Sequence, residues 1–196
     1  MSPRTEAKNQ EIRQESMQKI MDAAFRLIAR KGYESASIAE IAAVAGVSKG
    51  LLYNYFKSKQ DLVEKLLTNA VNQADAVMEE LITDDPAVTF ENIIRWLFRE
   101  LRERPDYFRL LMELTFKIDQ FEFVRNMAAQ KYQGYLAFLE DILRRLDVAD
   151  AQGEAKMLTA LFDGIGIQYV VIKGAYPIDD LEEFLIGKYC RKKTAL

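Results

Sequence analysis

The 196-residue chain is 49% apolar and 29% charged with a formal net charge of −3, which excludes wholesale disorder and gives no global signal for a polyanion partner. It has no histidine and one cysteine, Cys190, so neither a Cys/His zinc site nor an intrachain disulfide can be assembled. The N-terminal stretch MSPRTEAKNQEIRQES lacks the apolar core of a signal peptide, and the longest apolar-rich run, residues 157–172, carries Asp163 and Gln168, so a soluble cytoplasmic protein is expected.

From about Ile12 to Lys31 the apolar residues Ile20, Ala24, Leu27 and Ile28 recur at helical spacing, and Arg30-Lys31-Gly32 supplies a basic last turn and a glycine stop. Ser37-Ile38-Ala39-Glu40 matches a capping box opening a second helix, with Ile38, Ile41, Ala42 and Ala45 on one side and an end at Gly46. Only Val47 separates Gly46 from Ser48, an N-cap for a third helix. Two short helices joined by so tight a turn form a helix-turn-helix, whose second helix can enter a major groove. On it Leu52 and Phe56 face inward, while Lys49, Gly50, Tyr53 and Asn54 make a polar, aromatic and cationic outer face.

Gly50 costs roughly 1 kcal/mol of helix stability relative to alanine. Without a side chain, it lets the helix start approach another molecule, and the free amides around Ser48, Lys49 and Gly50 suit a phosphate. Tyr53 and Tyr55 can donate hydroxyl hydrogens to phosphate oxygens, and Lys57 and Lys59 add charge where Ser58 caps the next helix. Residues 1–66 hold 11 Lys/Arg against 8 Asp/Glu and the remainder 16 against 22, so the basic end is also the end with this clamp.

The stretch SASIAEIAAVAGVSKGLLYNYFKSKQDLVEKLL, residues 35–67, resembles the DNA-binding domain of the TetR family of bacterial transcriptional regulators, and the preceding AAFRLIARKGYE fits that family's first helix. The resemblance implies an all-α homodimer with a three-helix DNA-binding head, residues 1–65, and a larger helical body, residues 66–196, which binds a small ligand and holds the dimer. It implies an inverted-repeat double-stranded DNA operator and, as the usual role, repression released by an effector. A transcriptional activator of the same fold and a ligand-sensing module without a DNA role are the alternatives. Carried over position by position, Ser37 is expected at a phosphate, and Ser48, Lys49, Gly50, Tyr53, Asn54, Tyr55 and Lys59 match positions that touch DNA. Leu51 stands where the residue varies among members and could offer a base only apolar contact, as with a thymine methyl.

In the body, helices are expected over residues 58–82, 90–103, 105–117, 121–146, 154–173 and 178–191, with Ala149-Asp150 and Gln152-Gly153 as loop signals. Trp96, Tyr107, Phe108, Met112, Phe116, Tyr132 and Tyr135 are candidates for lining a ligand cavity, against the competing reading of plain core packing. Their character points to an apolar or aromatic effector. Leu158, Phe162, Ile165, Tyr169 and Ile172, with Leu181, Phe184 and Leu185, form apolar stripes that the resemblance places at the subunit interface, and Met157, Leu161, Gly164, Gln168 and Val171 run beside the first. No general-base histidine, nucleophile elbow or phosphate-binding loop occurs, so catalysis is not expected, nor is a cofactor or metal.

Overall fold

The computed structural model describes residues 3–116 and 122–191, with side chains over residues 6–114 and 122–191. Among them are nine α-helices, one 3-10 turn and no strand. The chain folds as two compact units, Met1–Gln73 and Ala74–Leu196.

The first unit opens with α1, Pro3–Lys31. It starts well before the position near Ile12 expected from its apolar stripe, because Pro3 suits a first helical position and the residues after it are good helix formers. Ile20, Ala24, Leu27 and Ile28 are buried, and α1 packs chiefly on α2, Ile38–Ala45. Gly32 ends α1 with φ +83° and its amide on the Ile28 carbonyl. Gly46 ends α2 in the left-handed region, φ 69° and ψ 29°. There the Val47 amide reaches back to the Ala42 carbonyl and that of Gly46 to Ala43, so two last-turn acceptors are satisfied in a turn short enough to launch α3, Lys49–Tyr55, at once. Leu52, Phe56 and the α4 residues Leu62, Val63 and Leu67 are fully buried. Helix α4 spans Lys59–Leu81, and its part up to Gln73 belongs to this unit.

The second unit contains α5, Pro86–Glu103; α6, Pro105–Phe116; α7, Glu122–Arg145; α8, Ala151–Ile172; a 3-10 turn, Lys173–Ala175; and α9, Ile178–Tyr189. Its core is built from Phe90, Ile94 and Phe98 of α5, Ile142 and Leu143 of α7, Ala155 and Leu158 of α8, and Leu185 and Ile186 of α9. Helix α5 begins four residues before the expected Phe90, because Asp85 caps the Ala87 and Val88 amides and Pro86 fills the first helical position. The expected helix start at Phe121 and the expected end at Lys117 lie outside the described residues.

The Gln152-Gly153 loop expected from sequence is instead the first turn of α8. The Asp150 carboxylate accepts the Gly153 amide at 2.9 Å and folds so closely over it that a Cβ on residue 153 would sit 2.2 Å from Asp150 Oδ2. The glycine thus takes part in a helix cap and makes no bend. Helix α9 is pinned to α5 by charge. Arg102 pairs with both Asp179 and the buried Glu182, and Arg95 lies 3.6 Å from Glu182 and 3.7 Å from Glu183. Two guanidinium groups thus compensate the Glu182 carboxylate, whose burial would otherwise be costly.

Candidate nucleic-acid interface

Each end of the α2–α3 segment is fixed by a local cap. Ser37 and Glu40 form the reciprocal box, with the Glu40 amide on Ser37 Oγ at 3.2 Å and the Ser37 amide on Glu40 Oε2 at 3.0 Å. Lys31 of α1 pairs with the same carboxylate, and its hydrogen bond, with those from Ser37, holds the Glu40 pKa down to about 2. The Ser37 hydroxyl also donates to Glu40 Oε2 at 2.8 Å, so its hydrogen is engaged within the chain. Ser48 accepts the Leu51 amide at 3.1 Å, and Ser58 accepts that of Asp61 at 3.0 Å to start α4.

Between these caps α3 has two sides. Leu52 and Phe56 are completely buried, whereas Ser48, Lys49, Gly50, Tyr53 and Asn54 are exposed and Leu51 and Tyr55 half-exposed. The Lys49 ammonium lies 5.9 Å from the centroid of the Tyr53 ring one turn on. Around Gly50 the nearest atom to an added Cβ is Ser48 Oγ, at 3.9 Å. Nothing inside the chain requires a glycine there, and its backbone φ does not either.

Lys59 is placed differently from its neighbours. Its ammonium donates to the carbonyls of Tyr33 at 2.8 Å, Ala36 at 3.2 Å and Glu34 at 3.5 Å, and lies 4.2 Å from the centroid of the Tyr33 ring. All three donors are therefore turned to the α1–α2 connection. Two cations that the sequence reading passed over flank Tyr55. Lys65 donates to the Tyr55 carbonyl at 3.0 Å and to Asp61 at 3.2 Å, and the Arg13 guanidinium lies 5.6 Å from the centroid of the Tyr55 ring. Arg13 falls seven residues before Ile20, a spacing that places it on the core-facing side of α1 and could have singled it out.

The candidate ligand residues fall on α5, α6 and α7, and the Tyr107 and Phe108 rings meet edge to face with centroids 5.9 Å apart. Trp96, Tyr107, Phe108 and Met112 are half-buried, Tyr132 and Tyr135 are exposed on α7, and the Phe116 side chain lies outside the described residues. Phe108 would lie 3.9 Å from a Cβ on Gly166, against α8. The Tyr107 ring carries the Arg104 guanidinium at 5.0 Å, and burial raises its hydroxyl pKa. Tyr135 is raised by burial and by Asp75, whose carboxylate also pairs with Lys131. Two concavities of this unit lie elsewhere, and none of the six candidates with described side chains lines either. One of about 830 Å³ runs past Pro86, Glu91, Val148 and Tyr189; the other, of about 530 Å³, lies between α8 and α9 beside Leu161, Gly164 and Leu181. Cys190 borders the first, its thiol pushed up to about 11 by burial and then by Glu91, so it stays protonated.

The apolar stripes expected at a subunit interface divide in two. Leu158, Ile165 and Leu185 are buried in the chain's own core, and Phe162, Tyr169 and Leu181 pack against it. A residue already consumed by its own unit has little surface for a second copy, whereas Ile172 and Phe184 of the same stripes stay exposed. The exposed side of α8 is the neighbouring row, Met157, Leu161, Gln168 and Val171, with Ile167 and Ile172; Phe184 of α9 is 64% exposed. The stretch Ala151–Ala175 is also long and apolar enough by composition to cross a membrane, yet only 22% of its apolar window is buried within the chain. A large apolar side thus faces outward.

A model of the bacterial regulatory proteins of the tetR family matches residues 20–66, and one of BetI-type transcriptional repressor C-terminal regions matches residues 86–186. Over 157 residues the chain is 34% identical to the HTH-type transcriptional regulator AcrR of Shigella flexneri, spanning 78% of this chain and 71% of that protein. A transcriptional regulator of Saccharomonospora viridis solved in complex with choline shares the fold at a TM-score of 0.74 and 25% identity, covering 90% of this chain and 95% of that one. FadR of Bacillus subtilis in complex with stearoyl-CoA does so at 0.69 and 23%, covering 88% and 97%.

Proposed function

The chain belongs to the TetR family of bacterial transcriptional regulators, and from that premise we propose that it is a cytoplasmic, effector-responsive repressor that binds an inverted-repeat operator as a homodimer. The observation that carries the DNA reading is the two-sidedness of α3. Leu52 and Phe56 anchor it to the head, while Ser48, Lys49, Gly50, Tyr53 and Asn54 stand free on the opposite face. Lys49 and the hydroxyls of Tyr53 and Tyr55 hold phosphates, which fixes register and supplies affinity. Asn54 and Leu51 are the side chains placed to meet base edges, Leu51 by apolar contact alone. Two heads related by a two-fold axis enter successive major grooves about 34 Å apart, so each half-site is read once.

Ser37 and Lys59 enter this scheme through the α1–α2 connection. Lys59 braces the carbonyls that lead into Ser37, and its charge adds to the field at the edge of the DNA-facing surface. Lys59→Ala is expected to weaken binding alike across sequences and, because its donors are held by backbone carbonyls, to reduce the salt slope by less than about one unit per bound head. Salt-titrated anisotropy checks this; a lowered melting temperature with an unchanged slope would confine Lys59 to bracing the loop.

The dimer forms through the exposed row of α8 and Phe184 of α9, where Gly164, with nothing near a Cβ, permits close helix approach. The effector is an apolar or aromatic molecule held by the second unit, with Trp96, Phe108 and Met112 the half-buried residues available to it. The structural relatives were solved with ligands as different as choline and stearoyl-CoA, so their shared fold does not select one chemistry. Selection of bound fragments from random DNA, followed by rescreening with metabolite pools for release, tests the whole reading. Recovery of an inverted repeat released by an apolar compound supports it, and recovery of no enriched sequence contradicts it.

A further inference from the structure

The core-facing stripe of α1 does not stop where the core stops. Ile20, Ala24 and Leu27 are buried, but one to three turns toward the N-terminus the same side carries Met17, Arg13, Gln10 and Asn9. Residues 6–15 are all exposed, so this half of α1 runs on past the buried part of the head. A shallow concavity is lined by Asn9, Gln10, Arg13, Gln14 and Met17. Arg13 anchors the stretch at a telling place, with its guanidinium over the ring of Tyr55 at the end of α3.

The neighbours of Arg13 leave its charge uncompensated. Glu11 and Glu15 lie two residues away on either side and so project from the opposite face of the helix. Glu6 shares the stripe but lies seven residues, about 10.5 Å, further out. Lys65 stands on the backbone side of Tyr55, and its own acidic partner is Asp61. Among the described residues Arg13 makes no ion pair, and the aromatic face holds it without neutralising it.

We propose that Arg13, positioned by the Tyr55 ring, is a further DNA contact that takes a backbone phosphate flanking each half-site, with Asn9 and Gln10 extending the same surface. The inference rests on the DNA reading of α3, because it is the continuity with Tyr55 that brings this face to the duplex. An arginine suits the position because its fork can stack on an aromatic ring and still present donors to phosphate oxygens. Asn9 and Gln10 add neutral donors of the kind that bond the sugar-phosphate backbone. Glu6 sets the outer limit, since a carboxylate repels the strand.

The test uses the full chain and a selected operator with randomised flanks, titrated over a range of salt. Arg13→Ala is expected to weaken binding roughly tenfold and to lower the salt slope by about one unit per bound head, without changing flank preference. Arg13→Lys, which keeps the charge, is expected to restore most of the slope. The site is exposed and alanine favours helix, so the melting temperature stays near that of the parent chain. Arg13→Ala with unchanged affinity and slope overturns the proposal while leaving the α3 reading intact. A changed base preference in the flanks overturns the phosphate assignment in favour of groove readout. If the parent chain itself prefers no duplex, it is the α3 reading that has failed.

Discussion

Replacing Gly50 by alanine yields a protein that is more stable and binds its operator less well. The stability gain follows because the added methyl meets only Ser48 Oγ at 3.9 Å, while the helix loses its most flexible residue. The gain is at most about 1 kcal/mol, given that Gly50 lies in the first turn. Binding moves the other way, because the methyl occupies the space in which backbone oxygens approach the Ser48–Gly50 turn. Charge-assisted hydrogen bonds are worth about 1.5–3 kcal/mol each, so losing one weakens binding tenfold or more. Paired thermal melts and operator titrations check both halves. A Gly50→Ala variant that is more stable and binds equally well would show that the bare position serves no close approach.

Leu161→Glu is the second large expectation. Leu161 lies in the middle of the exposed apolar row of α8, next to Gly164, and borders the concavity between α8 and α9. A carboxylate there stays hydrated in the free subunit and does not disturb the core around Leu158 and Ile165. Across a two-fold axis it would be buried near its own copy, at a cost of several kcal/mol. The variant is therefore expected to be a folded monomer by light scattering. Without the second head, operator affinity falls by the avidity of two linked sites, of order 10²–10⁴. Val171→Glu, in the same row at 67% exposure, gives the same result. A dimer of unchanged strength in both variants would place the interface on another face.

How much of this was readable in the sequence depended on whether the signal was local. The capping box at Ser37, the N-cap at Ser48, the left-handed Gly46 and the burial of Leu52 and Phe56 are dictated within a few residues, and each stands where the pattern put it. The family follows from that same stretch, which lies within the matched residues 20–66. The choice between two adjacent stripes on α8 was not readable in this way. Both rows are apolar, and only the positions of α5, α6 and α7 decide which one the core consumes. Gly153 misled for a related reason. Glycine marks loops by its freedom, but here it lies inside the first turn of α8, where the Asp150 carboxylate caps its amide. Lys59 read as free charge in sequence and Lys65 drew no notice, yet both are spent on carbonyls of loops and helix ends brought near by the fold.

The central claim is that the outward face of α3 reads duplex DNA in a two-fold arrangement. Its most direct measurement is the binding of the purified full chain to a selected inverted repeat and to a shuffled duplex of equal length and composition, at near-physiological salt. The account predicts two chains per inverted repeat, or a multiple of two, and a preference of at least about 10³ over the shuffled duplex. Equal affinity for both duplexes across the salt range would contradict it.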